Sequence, residues 1–389
     1  MAKALSGSEA VALAVKQANV DVVAAYPITP QTIIVERLAE YINNGELDAE
    51  YVPVESEHSA LSECAAASMT GARVFTATAS QGLALMHDMM YIAAGLRCPV
   101  VMAVANRALS APINIHRDHS DIMGSRDSGW VQIFVENNQQ AYDMTLEAFK
   151  LAEDHDILLP VTVNMDGFFV SHAVEGVETL DDSRAAGFLP PRKPLHYLDA
   201  SKPMSFGALA SPEWYYRIRH QVVEAMARVE QKLEEVEREY LRVSRRSYGA
   251  LGLSQVENAE IVILCAGAVA GTARTAARRL RERGVKVGVV SVRLYRPFPA
   301  EKIIHAISNA EALLVIDLAM SPGAPSAPLG QDIKAALFDA GVRLPVWNVV
   351  CGLGGRDVSE AEIEKLATTL AESTTSTPRE RITYWGVAV

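Results

Sequence analysis

Four side chains in this 389-residue chain have types and spacing suited to chemistry: Thr29 between Pro27 and Pro30, the acids Glu55 and Glu57, and Arg107. Arginine carries a permanently charged, planar fork that matches a carboxylate. Threonine offers a compact hydroxyl donor, here on a turn stiffened by two prolines. Each proline removes a backbone donor and holds φ near roughly −65°, so Tyr26–Pro30 is neither helix interior nor central strand. A carboxyl group shielded from water can hold or exchange a proton. Each residue also has a plainer use. The plainer reading of Arg107 is a salt-bridge partner of Asp118 or Asp121, that of Thr29 a turn hydroxyl bonded to its own backbone, and that of either glutamate a solvated acid in a first helical turn.

Metal and redox chemistry find no local ligand set. Of His58, His87, His116, His119 and His172, only His116 and His119 are close in sequence, and they fall in a polar loop. Cys64, Cys98, Cys265 and Cys351 form no Cys-x-x-Cys pair, so neither zinc nor an iron–sulfur cluster is expected on this chain. Each cysteine reads as a small buried hydrophobe.

The elements that must position these groups repeat as strand, turn, helix. A capped first helix, with Ser6 or Ser8 as N-cap, runs to Ala18. Val20–Ala25 is a short buried strand, and a helix runs from about Gln31 to Asn43 before Asn44-Gly45. Ala49–Val54 is a strand that delivers Glu55 and Glu57 to one sheet edge. A small-residue helix over His58–Thr70 follows, then a strand over Arg73–Thr78 that ends in Ser80-Gln81-Gly82. That glycine permits close approach of a ligand or chain. A Met-rich helix over Leu83–Ala94 and a strand over Pro99–Ala105 come next. The polar loop from Pro112 to Asp121 reads as a lid or gate. Val131–Val135, Gln139–Glu153 and Pro160–Met165 continue as strand, helix, strand. This repetition predicts a parallel sheet covered on both faces.

From Phe168 to Pro212 the pattern weakens into an extended connector. Glu213–Tyr248 then predicts a long helix whose buried stripe includes Val222, Ala225, Val229 and Leu233, and Gly249–Asn258 a linker. A second βαβ region starts at Glu260–Cys265, with strands at Lys286–Val292, Ala312–Ile316 and Val346–Val350. Its turn, Ala266–Gly271, lacks the spacing of a dinucleotide fingerprint. Two units are expected, 1–250 and 251–389.

Hydrophobic residues make up 49% and charged residues 21%, as in globular chains. The net charge of −11 and the lack of a basic block exclude a nucleic-acid partner. With no long apolar run, neither membrane spanning nor secretion is expected, and the location reads as cytoplasmic.

Tyr26-Pro27-Ile28-Thr29-Pro30, Ser56-Glu57 before the small-residue helix, Thr78–Gly82 and Asn106-Arg107-Ala108-Leu109 occur together in one family. Arg117–Asp121 and Asp166-Gly167-Phe168 fit the same pattern. The chain resembles the α subunit of multi-subunit 2-oxoacid:ferredoxin oxidoreductases, most similar to the pyruvate type. That resemblance implies an α/β fold: a doubly wound, pyrimidine-type thiamine diphosphate domain plus a smaller transketolase carboxyl-terminal-like domain. It implies Glu57, with Glu55 as competitor, as the acid at the aminopyrimidine of thiamine diphosphate, with Pro27 beside the cofactor. Thr29 and Arg107 would bind substrate.

Gly-Asp-Gly is absent, so a β subunit carrying that motif is expected to hold the diphosphate and Mg²⁺. The resemblance also implies a γ subunit, a δ subunit with [4Fe-4S] clusters, ferredoxin as acceptor and coenzyme A as co-substrate. A hydroxyl at position 29 favours pyruvate over a more acidic substrate such as oxalate. The competing readings are a subunit for a branched-chain 2-oxoacid and a non-catalytic assembly subunit.

Overall fold

The computed structural model describes residues 2–372 and 382–387. The amino-terminal part runs β1 (Ala2–Ser6), α1 (Gly7–Gln17), β2 (Val22–Ala25), α2 (Thr32–Asn43), β3 (Glu50–Pro53), α3 (Glu57–Met69), β4 (Val74–Thr78), α4 (Ser80–Leu85), α5 (His87–Gly95) and β5 (Val101–Asn106). It continues through α6 (Ser120–Gly124), β6 (Val131–Phe134), α7 (Asn138–Glu153), β7 (Val161–Asp166), β8 (Val174–Glu178), α8 (Asp182–Phe188) and α9 (Pro212–Ser244). The carboxyl-terminal part holds β9 (Leu251–Ser254), β10 (Ile261–Cys265), α10 (Val269–Glu282), β11 (Val287–Val292), β12 (Leu294–Arg296), α11 (Ala300–Ala306), β13 (Ala312–Asp317), α12 (Pro328–Asp339), β14 (Val346–Val350), α13 (Glu360–Glu372) and β15 (Ile382–Tyr384).

The first sheet has the order β12-β6-β7-β5-β4-β2-β3. Every pairing in it is parallel except β12 with β6. Strands β4, β5, β6 and β7 are buried at every position, as expected of parallel strands covered on both faces. One apolar core packs α1, α2, α7 and α9 on one face of this sheet, through residues such as Val11, Leu38, Phe149 and Val229. A second joins Val74, Val104 and Phe134 to Val262, Val290 and Leu313, so it bonds the first sheet's other face to the second sheet. That second sheet has the order β15-β14-β13-β10-β11-β9, parallel except for β9.

Helix α1 begins as expected: Ser6 accepts from the Glu9 N–H and Glu9 reaches back to the Ser6 N–H, a reciprocal cap. The α9 stripe of Val222, Ala225, Val229 and Leu233 is buried, and it extends through Val236 and Tyr240.

Four expectations need correction. The connector from Phe168 contains β8, paired antiparallel with β1. Only Val177 of β8 is buried, so the strand is held by backbone bonds and leaves no apolar pattern to read. The linker at 249–258 contains β9, an edge strand on β11 for the same reason. The Met-rich helix is two helices broken at Met86. The fourth is an element that sequence reasoning did not expect: Leu294–Arg296 forms β12, which crosses to the first sheet and pairs with β6.

Candidate active site

Parallel neighbours β3, β2, β4 and β5 end on the same edge of the sheet, where α/β folds expose their binding turns. Glu57, Thr29, the turn before Gly82, and Arg107 follow those four strands directly. Sheet topology therefore brings together residues as far apart in sequence as Thr29 and Arg107.

Glu57 is the first residue of α3. Ser56 caps that helix in extended conformation, its Oγ accepting from Ser59 N–H at 3.2 Å. The glutamate is 7% exposed, and among the described residues no hydrogen bond engages its carboxylate. Opposite lies Gly82, where an added Cβ would sit 2.6 Å from Glu57 Oε1 and 2.5 Å from Thr78 Oγ1. The acid thus lies in a cradle that only glycine leaves open. Glu55 differs in every respect. It is exposed and accepts the Ser59 hydroxyl, a bond that holds its carboxyl below the usual range.

Arg107 is 7% exposed. Its Nε donates to the Asn114 carbonyl at 3.0 Å and its Nη1 to the Thr29 carbonyl at 2.9 Å. The guanidinium pairs with neither Asp118 nor Asp121, and Nη2 makes no hydrogen bond among the described residues. Burial lowers its pKa from the ordinary arginine value, with the Asp121 charge opposing that shift. The bond to Thr29 ties the strand-end arginine to the proline turn. Thr29 and Pro27 are exposed, and the Thr29 hydroxyl makes no bond to its own backbone. Pro30 is buried and packs toward Gly167, whose Cβ would meet Pro30 Cγ at 2.9 Å.

Asp121, seen from sequence only as a rival partner for Arg107, has another place. It accepts the backbone N–H of Arg107 at 2.9 Å and of Ser80 at 3.0 Å, and the Asn106 side-chain amide at 3.0 Å. Sequence reasoning gave no role to Gln31, nor to Thr78 and Asn106, which entered only as members of motifs. Gln31 Oε1, Thr78 Oγ1, Gln81 Nε2 and Asn106 Oδ1 are buried without a hydrogen-bond partner. Buried polar groups are normally satisfied, and these four lie at the ends of β2, β4 and β5, the sheet edge that also carries Glu57 and Arg107. The glycine after β4 was the one sequence signal.

The expected gate at 112–121 divides in two. Ile113 and Ile115 at its tip are exposed, whereas Arg117, Asp118, His119 and Asp121 are buried. Arg117, Asp118 and His119 clamp the two sheets together. Asp166 accepts His119 Nε2 at 2.6 Å, Arg117 Nη1 at 3.1 Å and the Ala268 N–H at 3.1 Å. Burial acts to raise the Asp166 pKa, but His119 and Arg117 outweigh it and hold the carboxyl below its ordinary value. Gly355 N–H donates to the Arg117 carbonyl at 2.7 Å, and Asn114 Nδ2 to the Gly354 carbonyl at 3.0 Å. Among the described residues no group of three His, Cys, Asp or Glu side chains is arranged to hold a metal ion. The four cysteines are buried, and burial pushes the Cys64, Cys98 and Cys351 thiols up to about 12. Among the described residues no helix is long and apolar enough to cross a membrane.

Residues 13–238 match the protein family described as pyruvate flavodoxin/ferredoxin oxidoreductase, thiamine diphosphate-binding. Residues 259–363 match pyruvate:ferredoxin oxidoreductase core domain II. Similar proteins include pyruvate synthase subunit PorA of Methanocaldococcus jannaschii, 46% identical over 94% of this chain and 93% of the relative. The corresponding Thermotoga maritima subunit is 45% identical over 93% and 92%. Ketoisovalerate oxidoreductase subunit VorA of Pyrococcus abyssi is 42% identical over 98% and 97%. Among solved structures, a 2-oxoglutarate:ferredoxin oxidoreductase from Magnetococcus marinus aligns with a TM-score of 0.73 at 18% identity, over 95% of this chain and 65% of that one. A split-gene transketolase aligns at 0.58 with 12% identity, over 97% of this chain and 100% of that one. At those identities the likeness concerns the fold.

Proposed function

We infer that this chain, which belongs to the pyruvate flavodoxin/ferredoxin oxidoreductase family, is the α subunit of a pyruvate synthase that converts pyruvate and coenzyme A to acetyl-CoA and CO₂. Two electrons leave, one at a time, for ferredoxin. The units meet near residue 250, between the two matched regions.

The observation that carries the site is the contact between Glu57 and Gly82: a carboxylate sheltered from water, without a hydrogen-bond partner among the described residues, seated against a glycine where any side chain would displace it. Those features fit the aminopyrimidine of thiamine diphosphate, whose ring nitrogen needs a carboxyl partner. When bound, the cofactor supplies a nucleophilic thiazolium carbon and an electron sink. Glu57 holds the proton at the pyrimidine N1′, and its burial strengthens that hydrogen bond by removing competing water. Pro27 stands beside the cofactor on the turn. Arg107 presents Nη2 to the substrate carboxylate while its other nitrogens stay fixed on two carbonyls, so the fork is oriented before substrate arrives. The Thr29 hydroxyl, linked to Arg107 through its own carbonyl, donates to the keto oxygen as negative charge develops there.

Without Gly-Asp-Gly, this chain supplies half a site. A β subunit holds the diphosphate and Mg²⁺, a δ subunit the [4Fe-4S] clusters, and a γ subunit completes a cytoplasmic complex. The exposure of Thr29, Pro27, Leu109 and Ile113 at the site's rim supports a partner there.

The test is Glu57→Gln in the assembled complex. Assembly is expected to persist while pyruvate-dependent ferredoxin reduction is lost; an assembled, fully active variant means a scaffold. The similarity to a ketoisovalerate oxidoreductase subunit favours one second reading, a branched-chain 2-oxoacid as substrate. Comparing kcat/KM for pyruvate and ketoisovalerate on the wild-type complex decides between them.

A further inference from the structure

We propose that Asp121 is a positioning residue of this site, locking the backbone of Arg107 to the turn that carries Ser80 and Gly82 and so setting the distance between the substrate-binding fork and Glu57. The inference rests on the site reading given above.

Asp121 lies at the start of α6 and is 3% exposed. Its Oδ2 accepts from Ser80 N at 3.0 Å and Arg107 N at 2.9 Å; its Oδ1 accepts from Asn106 Nδ2 at 3.0 Å and Ile122 N at 2.8 Å. Four N–H donors converge on one side chain, and only an ionised carboxylate can accept all four. Two of the donors are backbone groups from different strand ends. One end is Arg107, after β5. The other is Ser80, after β4, two residues before the glycine that faces Glu57.

The Ser80 backbone needs this support. Its φ is +51°, in the left-handed region that non-glycine residues seldom occupy. Besides the Asp121 bond, the Ser80 hydroxyl donates to the Ala108 carbonyl at 2.5 Å. Both straps run from the β4 turn to the segment of Arg107. Because the Arg107 guanidinium is committed to the Asn114 and Thr29 carbonyls, Asp121 acts on its main chain and not by neutralising its charge.

The charged groups around Asp121 are Arg107 from β5 and Asp118 from its own loop, while the facing turn of α4 offers the uncharged Ser80 and Gln81. Burial is the largest influence and pushes the carboxyl up to about 6, against the opposing N–H bonds from Arg107, Asn106 and Ser80. Proton uptake just below neutral pH would place a donor against donors and loosen both straps.

Steady-state kinetics of the assembled complex with pyruvate, from pH 5 to 8, test the proposal. Asp121→Asn keeps the shape but replaces one acceptor by a donor. The KM for pyruvate is expected to rise about tenfold or more, with a smaller fall in kcat. The acid limb of kcat/KM near pH 6 is expected to disappear. Asn106→Ala removes one donor and leaves the carboxylate, so its acid limb is expected to move to higher pH. This second variant carries the test if Asp121→Asn does not assemble. Wild-type KM in Asp121→Asn, or an acid limb unmoved in Asn106→Ala, overturns the proposal. A wild-type complex that turns over no 2-oxoacid instead overturns the functional reading beneath it.

Discussion

Replacing Gly82 by alanine isolates the geometry on which the site depends. The added Cβ would stand 2.6 Å from Glu57 Oε1, 2.8 Å from Glu57 Cγ and 2.5 Å from Thr78 Oγ1. Restoring ordinary contact at 3.4 Å or more requires the carboxylate oxygen to retreat by about 0.8 Å. Gly82 lies within α4 and has no positive φ, so the backbone accepts alanine and gains about 1 kcal/mol in helix propensity. Overpacking of the cradle costs about 1–3 kcal/mol. The two effects nearly offset, and the complex should keep its fold, with a melting temperature within a few degrees of wild type. Catalysis has no such compensation. A displacement approaching 1 Å in a positioned group costs on the order of 100-fold in rate, so kcat should fall roughly 10- to 100-fold and thiamine diphosphate should bind more weakly. The assay is pyruvate-dependent reduction of ferredoxin, with calorimetric titration of the cofactor alongside. Turnover within twofold of wild type at unchanged cofactor affinity would refute the placement of Glu57 against the bound ring.

Two further outcomes follow from the same structure. Arg107→Lys removes the fork that holds the Asn114 and Thr29 carbonyls together; a single ammonium cannot keep both and still bind substrate. The KM for pyruvate should rise about 10- to 100-fold in a complex that still assembles, and a KM within twofold of wild type contradicts the role. Glu147 on α7 is fully buried, and among the described residues neither of its carboxyl oxygens is hydrogen-bonded. Burial, then the nearby Glu237 and Asp143 charges, raise its pKa well above the ordinary value. A folded-state pKa above the unfolded one means the folded state holds the proton more tightly. That contribution is fully present below about pH 4.5 and is lost as pH climbs toward the folded value, at up to about 1.4 kcal/mol per pH unit. Glu147→Gln escapes the loss, so its melting temperature should gain on wild type between pH 5 and 8. Parallel curves over that range argue against a buried protonated acid.

Local chemistry was sufficient for much of this protein. The prolines at 27 and 30, the nearly continuous apolar run of β5, the Ser6–Glu9 cap and the stripe on α9 each leave a signal within a few residues, because steric restriction and burial act over that range. Those signals place Thr29, Glu57 and Arg107 at strand ends, and the absence of Gly-Asp-Gly shows what this chain does not bring. Tertiary structure decided the rest. Strand β8 and strand β9 carry little apolar pattern because backbone pairing, not burial, holds them. Glu55 and Glu57 are alike in sequence; only the packing of α4 against α3 leaves one solvated and shuts the other in beside Gly82. Asp118, His119 and Asp121 form an ordinary polar run until the second sheet closes over them, when they become a clamp and a cradle. Polar partners in a buried network are chosen by which chain ends meet in space, and one chain's local pattern does not encode that meeting.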